Sequence, residues 1–399
     1  MNGRKIISGI ISLCAIPAAA AISSAVNGNP TVSGTVNLLA EITQTAALYS
    51  AGAQKYTPLS AANGIMLRQF TVKPPDDLPE PLAELDEVIA ETAEPNEPVE
   101  ENESVGASQV ISQNFSEFTD GLDYTAEGNH SGTIVRRHYG QNSSGGNITL
   151  DGGAQIQNCT DLSQDTLLAA AAELPEITIQ TGTAEPQVLI VHTHTTESYE
   201  PYQRDYFDAD FPFRTRDCSH NMVAVGEKLA RELARNGISV LHDGTEHDYP
   251  TYSGAYDRSE ATIRAALEQY PSIKIVIDLH RDAISDADGV RIAPVTEING
   301  KSAAQFMIIA GCDDGRFNMP NYMENFKLAC LIQRSTEALY PELARPVLFD
   351  YRNYNQHITT GSLLIEIGSH GNSLDEALYT AELLGKGLSE ALLTLAEQE

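Results

Sequence analysis

Short apolar runs alternate with amphipathic stretches after Pro186, and this alternation limits the folds open to the chain more than any other feature. The apolar runs lie at 188–191, 238–241, 273–279, 306–310 and 363–367. Helical patterns lie at about 221–236, 258–269, 322–339 and 373–397. Strands that alternate with helices predict an α/β fold, in which helices cover both faces of a mostly parallel sheet.

Polar side chains follow several of these predicted strands at the point where each strand ends. They are His192, His194 and Glu197 after the first strand, His280 at the end of the central strand and Glu366 at the end of the last. Ligands of open α/β sheets bind at the carboxyl ends of the strands. Because zinc accepts imidazole nitrogen and carboxylate oxygen, the sequence predicts a zinc site at this edge.

The spacing of these residues suggests a role for each. His194 and Glu197 are close enough on a turn to share one ion, and His280 can supply a third ligand from another strand. Glu366 is then the general base. In a strand, His192 and His194 point the same way, so His192 is an alternative ligand or a residue that orients His194.

Arg281 has two possible roles, and four other histidines are interpreted as structural or surface residues. Arg281 follows His280 directly and could bind a substrate carboxylate bidentately, or form a salt bridge with Asp278 or Asp282. The other histidines of the second half are interpreted as hydrogen-bonded structural or surface imidazoles; they are His242, His247, His357 and His370.

The N-terminal residues 1–30 combine a basic start with an uncharged, apolar run at 6–26. A helix of this length spans roughly 31 Å, which is enough to cross a bilayer core. The apolar run therefore predicts a single-pass membrane anchor, with the basic end in the cytoplasm and the rest of the chain outside. The alternative is a cleaved signal peptide, because an alanine run follows Pro17, and the protein would then be secreted.

The first half of the chain divides by composition. A poorly defined extracytoplasmic segment at 31–73 precedes an acidic, Pro-rich linker at 74–106, a small β-rich subdomain at 107–185 and the catalytic domain at 186–399. The linker holds many of the 55 acidic residues, which outnumber 25 basic ones and leave a net charge of −30. Such a charge excludes nucleic acid as a partner.

Four ordered motifs resemble the stage II sporulation protein P family. They are VLIVHTHTTESY at 188–199, DLHRDA at 278–283, RPVLFDYRNYNQ at 345–356 and SLLIEIGSHGNSLDEA at 362–377. The resemblance covers roughly residues 125–399. It implies a membrane-anchored zinc hydrolase that cuts peptidoglycan during forespore engulfment, with a fold similar to that of N-acetylmuramoyl-L-alanine amidases.

The resemblance also implies roles and partners. Glu366 matches the glutamate of a Glu-x-Gly motif, His280 matches the central histidine, and the His194–Glu197 pair is similar to that of zinc carboxypeptidases. The implied reaction is hydrolysis of the amide between N-acetylmuramic acid and L-alanine, with cleavage of stem-peptide crosslinks as a second activity. The implied partners are stage II sporulation proteins D and M. Met319 departs from the family pattern, since a histidine is expected before Pro320.

Two alternatives accompany the amidase hypothesis. The first is a metallopeptidase that acts only on stem peptides or free C-termini. The second is a non-catalytic wall-binding scaffold that retains the site as a relic. The sequence argues against the scaffold, because the loss of one ligand would suffice to inactivate the site and every predicted ligand is present.

Overall fold

The computed structural model describes residues 108–125, 128–140 and 146–396. The predicted anchor or signal at 1–30, the segment at 31–73 and the linker at 74–106 lie outside the described residues. Within the described ranges, every helix is too short or too polar to cross a bilayer.

Thirteen strands and five helices follow one another along the described chain. The strands are β1 (Val110–Gln113), β2 (Gly132–Arg137), β3 (Ile148–Thr149), β4 (Gln155–Asn158), β5 (Val188–Val191), β6 (Tyr206–Phe207), β7 (Val240–Asp243), β8 (Ile275–Asp282), β9 (Arg291–Ile298), β10 (Lys301–Ala304), β11 (Phe306–Gly311), β12 (Val347–Asp350) and β13 (Ser362–Ser369). The helices are α1 (Gln164–Ala171), α2 (Met222–Arg235), α3 (Ala255–Gln269), α4 (Tyr322–Leu339) and α5 (Leu374–Leu393).

Nine of the strands form one sheet in the order β1-β7-β5-β8-β13-β11-β12-β4-β3. All neighbours in it run parallel, except that β11 is antiparallel to β13 and β3 is antiparallel to β4. A second sheet has the order β10-β9-β2-β6. The predicted α/β fold with a mostly parallel sheet is therefore confirmed.

Helices cover both faces of the large sheet, as the continuous apolar runs predict. Val188 and Ile190 of β5 belong to the main core, to which α2, α4 and α5 contribute. Leu189 and Val191 point the other way and pack in a second cluster with Ile263 of α3. Because successive side chains of a strand alternate between faces, all four residues of β5 are buried.

The segment at 107–185 is rich in strands, but those strands do not form a subdomain of their own. Instead, β1 pairs with β7 and β4 pairs with β12 inside the large sheet, while β2 pairs with β9 in the small one. The boundary predicted at 185/186 is thus not a boundary between folded units. The short alternating runs indicate strands, but they carry no information on which distant strand supplies the backbone hydrogen bonds.

Glycines on α5 let two other helices approach its backbone closely. A Cβ at Gly385 would lie 2.6 Å from the Cβ of Glu232 on α2. A Cβ at Gly387 would lie 2.2 Å from Thr336 Oγ1 and 2.8 Å from Thr336 Cα on α4. The two glycines therefore set the depth at which α2 and α4 pack against α5.

We expect Gly387→Ala to lower the free energy of unfolding by about 1–3 kcal/mol, because the added methyl group meets the backbone of Thr336. Helix propensity alone predicts the opposite change, a gain of about 1 kcal/mol. Urea unfolding followed by circular dichroism measures the difference. Glu390→Ala, on an exposed position of the same helix, is the control and should change stability by less than about 0.5 kcal/mol. A Gly387→Ala protein more stable than wild type would contradict the close packing.

Candidate metal and catalytic site

The candidate site lies where β5, β8 and β13 end. In the parallel pair of β8 and β13, His280 lies directly opposite Glu366. On the other side of β8, Val191 at the end of β5 pairs with Asp278, and His194 and Glu197 follow in the next turn. Sheet topology thus brings all four predicted functional side chains to one edge.

His194 lies in the turn after β5 and is nearly buried. Its ring stacks on Tyr252 with centroids 4.4 Å apart, and its Nε2 lies 2.9 Å from the Tyr252 hydroxyl. Its Nδ1 is buried and has no hydrogen-bond partner. Burial lowers the pKa of His194 to about 3, so the ring is neutral, which is the form that binds metals.

Glu197 is a buried carboxylate whose two oxygens have different surroundings. Its Oε1 lies 3.2 Å from Arg214 Nη2. Its Oε2 accepts a 3.3 Å hydrogen bond from the backbone N–H of Arg281 and lies 3.7 Å from His280 Nδ1. Burial opposes ionisation, but the guanidinium groups of Arg281 and Arg214 hold the pKa of Glu197 below its usual range. The carboxylate is therefore charged near neutral pH.

His280 forms a charged pair with Asp278. Its Nε2 lies 2.8 Å from Asp278 Oδ1, although the geometry is not that of a hydrogen bond. Burial opposes protonation of the ring, but Asp278 overrides it and raises the pKa of His280 to about 9. Burial likewise opposes ionisation of Asp278, yet His280 lowers the pKa of that carboxyl to about 2. Any metal that binds His280 must displace a proton from the ring.

Glu366 retains some exposure, while its Oε2 is buried without a hydrogen-bond partner. Burial and then the nearby Asp282 carboxylate raise the pKa of Glu366 to about 8, against the opposing effects of His280 and Arg345. Arg345 itself binds Asp282, with Nη2 3.1 Å from Oδ2. Glu366 is therefore a carboxyl group that can gain or lose a proton near neutral pH.

Gly368 explains the spacing of the Glu-x-Gly motif. The register between β8 and β13 shifts between Glu366 and Ser369, and Gly368 has a φ of +60°. A Cβ at this position would lie 2.6 Å from Asn372 Oδ1 and 2.8 Å from the Cβ of Ala304. Only glycine fits this left-handed, crowded bulge without strain.

His192, the alternative ligand, has interior partners for both ring nitrogens. Its Nδ1 lies 2.9 Å from the carbonyl oxygen of Leu279, and its Nε2 lies 2.9 Å from Nε2 of His242. The Leu279 carbonyl directly precedes His280. Both ring nitrogens of His192 are thus engaged by interior groups, and whether it is a ligand or orients His194 stays a prediction.

Arg281 forms no salt bridge with Asp278 or Asp282 in the described part of the chain, and its side chain donates to backbone carbonyls instead. It is buried, its Nε donates to the carbonyl of Ser198 at 2.6 Å, and its Nη2 donates to the carbonyl of Phe213 at 2.7 Å. Side chains alternate along a strand, so Arg281 points away from the side of β8 that carries His280. It holds the chain around Glu197 instead of pairing with Asp278 or Asp282.

The structural interpretation of other histidines agrees with their contacts. His247 has Nδ1 2.8 Å from the carbonyl of His192 and Nε2 2.9 Å from Thr262 Oγ1. His242 has Nδ1 3.2 Å from Glu227 Oε2. Met319, at the departure from the family pattern, is buried, and its N–H donates to Asp313.

Two residues beside the predicted ligands, Arg214 and Tyr252, could not be identified from the sequence. Each lies in a loop without a motif, and each reaches the site through contacts between distant segments. Nothing in the local sequence distinguishes either from an ordinary surface side chain.

The donor atoms are of the types that zinc binds, but the side chains that carry them do not converge on one point. In the described part of the chain, no three His, Cys, Asp or Glu side chains converge closely enough to hold a metal. His194, Glu197 and His280 instead approach in pairs, with the two imidazole rings 5.2 Å apart. A neutral imidazole and an ionised carboxylate fit a cation by their chemistry, and the buried Nδ1 of His194 has no hydrogen-bond partner.

Several solved structures are similar to this chain at low identity. N-acetylmuramoyl-L-alanine amidase AmiC2 of Nostoc punctiforme is 11% identical, with a TM-score of 0.32 over 53% of this chain and 98% of its own. An N-acetylmuramoyl-L-alanine amidase from Clostridium difficile 630 is 15% identical, with a TM-score of 0.30 over 53% and 97%. The CwlD amidase from Clostridioides difficile, in complex with the GerS lipoprotein, is 14% identical, with a TM-score of 0.31 over 52% and 99%. Similarities of this size support no inference about activity.

Sequence comparison is more specific. Stage II sporulation protein P of Bacillus subtilis strain 168 is 29% identical over 222 residues, which are 53% of this chain and 52% of that protein. The chain thus spans about half the length of this curated relative. The model of the stage II sporulation protein P family matches residues 84–389, well over half of the 399 residues. This chain therefore belongs to the stage II sporulation protein P family.

Proposed function

We propose that this protein is a zinc-dependent peptidoglycan hydrolase of sporulation. Its main reaction is that of an N-acetylmuramoyl-L-alanine amidase, with cleavage of stem-peptide crosslinks as a second activity. The observation that carries the proposal is the alignment of His280 with Glu366 on adjacent strands, next to the turn that bears His194 and Glu197. Membership of the family supports the choice of peptidoglycan as the substrate.

In this proposal His194, Glu197 and His280 hold the zinc ion. The chemistry that zinc supplies when bound is polarisation of the scissile carbonyl and acidification of the attacking water. Glu197 contributes a negative charge, which the N–H of Arg281 and the side chain of Arg214 hold in place. Asp278 orients His280 from behind, since it also accepts hydrogen bonds from the N–H and hydroxyl of Thr193.

Glu366 is the proton carrier. Its pKa is raised to about 8, and in its ionised form the carboxylate can take a proton from the attacking water and then return it to the departing amine. Burial raises that pKa most and the Asp282 carboxylate raises it further, while His280 and Arg345 oppose the rise. The ion pair between Asp282 and Arg345 therefore contributes to the pKa of Glu366. The amine leaves neutral, and the acid product stays on the muramic acid side.

We further propose that the protein acts in forespore engulfment at the septal or engulfing membrane, with the catalytic domain extracytoplasmic. The apolar run in residues 1–30 supports a single-pass anchor, and a cleaved form would be secreted. Stage II sporulation proteins D and M are the partners that the family suggests.

Glu366→Gln should separate the general base from the ligands. The variant keeps its size but cannot accept a proton, so fold and zinc content should survive while hydrolysis of purified peptidoglycan falls by at least about 100-fold. Glu197→Gln should instead lose zinc affinity together with activity, and added zinc should partly restore both. Mass spectrometry of wild-type products identifies the bond, since only an amidase releases an intact stem peptide from muramic acid.

Exposed Glu390 offers a control, because Glu390→Gln should match wild type in every assay. Zinc loss in Glu366→Gln with retention in Glu197→Gln would exchange the two roles. Products that carry only cleaved stem peptides would favour the metallopeptidase, and full activity in both variants would exclude the proposed mechanism.

His194→Ala and His192→Ala should differ in what they lose. We expect His194→Ala to abolish stoichiometric zinc binding, and it should also cost about 1–3 kcal/mol of stability, because the buried ring stacks on Tyr252 and pairs with its hydroxyl. His192→Ala removes two buried hydrogen bonds, so it should cost about 1–3 kcal/mol of stability and reduce zinc affinity by about 10–100-fold. Zinc titration and chemical unfolding without metal give both quantities. If only His192→Ala lost zinc, the ligand assignment would pass to His192.

A further inference from the structure

Arg214 faces Glu197 because two distant segments pair there. The N–H of Thr215 donates to the carbonyl of Thr196 at 2.7 Å, and the N–H of Ser198 donates to the carbonyl of Phe213 at 3.1 Å. These bonds form an isolated antiparallel bridge, in which Glu197 and Arg214 are the paired residues. Directly opposed residues of such a pair have adjacent side chains, so the backbone itself places the guanidinium beside the proposed ligand.

The guanidinium of Arg214 contacts four side chains around the site, one of them through a 3.3 Å hydrogen bond from Nη1 to Thr196 Oγ1. Its Nη2 lies 3.2 Å from Glu197 Oε1, and its Nη1 lies 2.5 Å from Asp248 Oδ2. Its central carbon lies 4.9 Å from the centre of the Tyr252 ring. The Asp248 side chain is fully buried, so its carboxylate holds the guanidinium in one position.

Through these contacts Arg214 acts on two proposed ligands at once. It occupies Oε1 of Glu197, which leaves Oε2 as the oxygen directed towards His280. It also packs against Tyr252, whose ring stacks on His194 and whose hydroxyl lies 2.9 Å from His194 Nε2. His194 is thereby left with Nδ1 as its unpartnered nitrogen.

We infer that Arg214 is a positioning residue that sets the orientation of both Glu197 and His194 for metal binding. The inference rests on the proposed function. Its physical basis is that a ligand held in one orientation loses less side-chain entropy when it binds a metal. Partners behind the ligands typically contribute about 10–100-fold to metal affinity.

A direct substrate contact is the competing role for Arg214, since its side chain is 32% exposed. The geometry argues against it, because both ends of the guanidinium already bind carboxylates, at Glu197 and Asp248. Bidentate recognition of a further carboxylate would require one of these bonds to break. A substrate role would also leave the affinity for zinc unchanged, so the two roles have different signatures.

The test uses the full chain and zinc titration against a competing chelator. Arg214→Met alone would leave Asp248 buried without its cation, which risks destabilising the fold. The double variant Arg214→Met with Asp248→Asn removes both charges and should bind zinc about 10–100-fold more weakly than Asp248→Asn alone. Arg214→Lys should bind zinc more tightly than the double variant, because an ammonium group can still reach one of the two carboxylates.

Arg216 supplies the matched control. It lies two residues further on, is 33% exposed and pairs with Glu246, so Arg216→Met should bind zinc as wild type does. Cobalt substitution adds a second readout, since a displaced ligand changes the visible absorption of the bound ion while a remote change does not.

The outcomes separate the inference from the proposed function. Zinc binding by wild type, with unchanged affinity and cobalt spectrum in the double variant, would overturn the role of Arg214 alone. An increase in KM without any change in zinc affinity would assign Arg214 to the substrate and overturn it likewise. A wild-type protein that binds no zinc would overturn both.

Discussion

The parallel pairing of β8 with β13 is the contact on which the site depends. It joins two buried strands that are far apart in the sequence and sets His280 opposite Glu366. Strand β5 lies on the other side of β8, and the turn that follows it places His194 and Glu197 at the same edge. A slip of one residue between β8 and β13 would turn one of these side chains to the other face of the sheet. Register, and not any one side chain, therefore brings the proposed base and the proposed ligands together.

Buried charge is the second constraint on this edge. An unpaired ion in a protein interior costs several kcal/mol, so buried carboxylates need cations or hydrogen bonds. Most carboxylates of the site have such partners; the pairs are Glu197 with Arg214, Asp278 with His280 and Asp282 with Arg345. Glu366 differs, because its Oε2 has no hydrogen-bond partner and burial raises its pKa to about 8. The group proposed to carry a proton is thus the one whose charge the protein stabilises least.

Much of the fold could be predicted because apolar runs and helical periodicity are local signals. The strand at 188–191 and the helix at 322–339 have the predicted bounds, and the start of β11 at Phe306 was also predicted. Strand partners were not predictable, since pairing of β1 with β7 depends on a contact between residues 130 positions apart. That is why the segment at 107–185 was wrongly interpreted as a separate subdomain.

The candidate site likewise contains some residues that the sequence predicts and others that it does not. His194, Glu197, His280 and Glu366 stand next to recognisable strands, so their common edge follows from the rule for parallel sheets. The contacts of Arg281 were less accessible, because the carbonyls that it binds belong to Ser198 and Phe213 in an irregular segment. Arg214 and Tyr252 were missed for the same reason, since loops bring them to the ligands without a repeating pattern.

The glutamate and the glycine of the Glu-x-Gly motif have different roles. The glutamate carries the proposed chemistry, whereas the glycine permits a left-handed bulge that ends the regular pairing just beyond it. Substitution of the glycine would leave every proposed functional atom in the sequence and still deform the strand that presents Glu366. A chain could therefore keep all four residues of the proposed site and still lose the proposed activity through a change in backbone shape. A list of reactive side chains is thus insufficient to judge whether a relative of this protein is active.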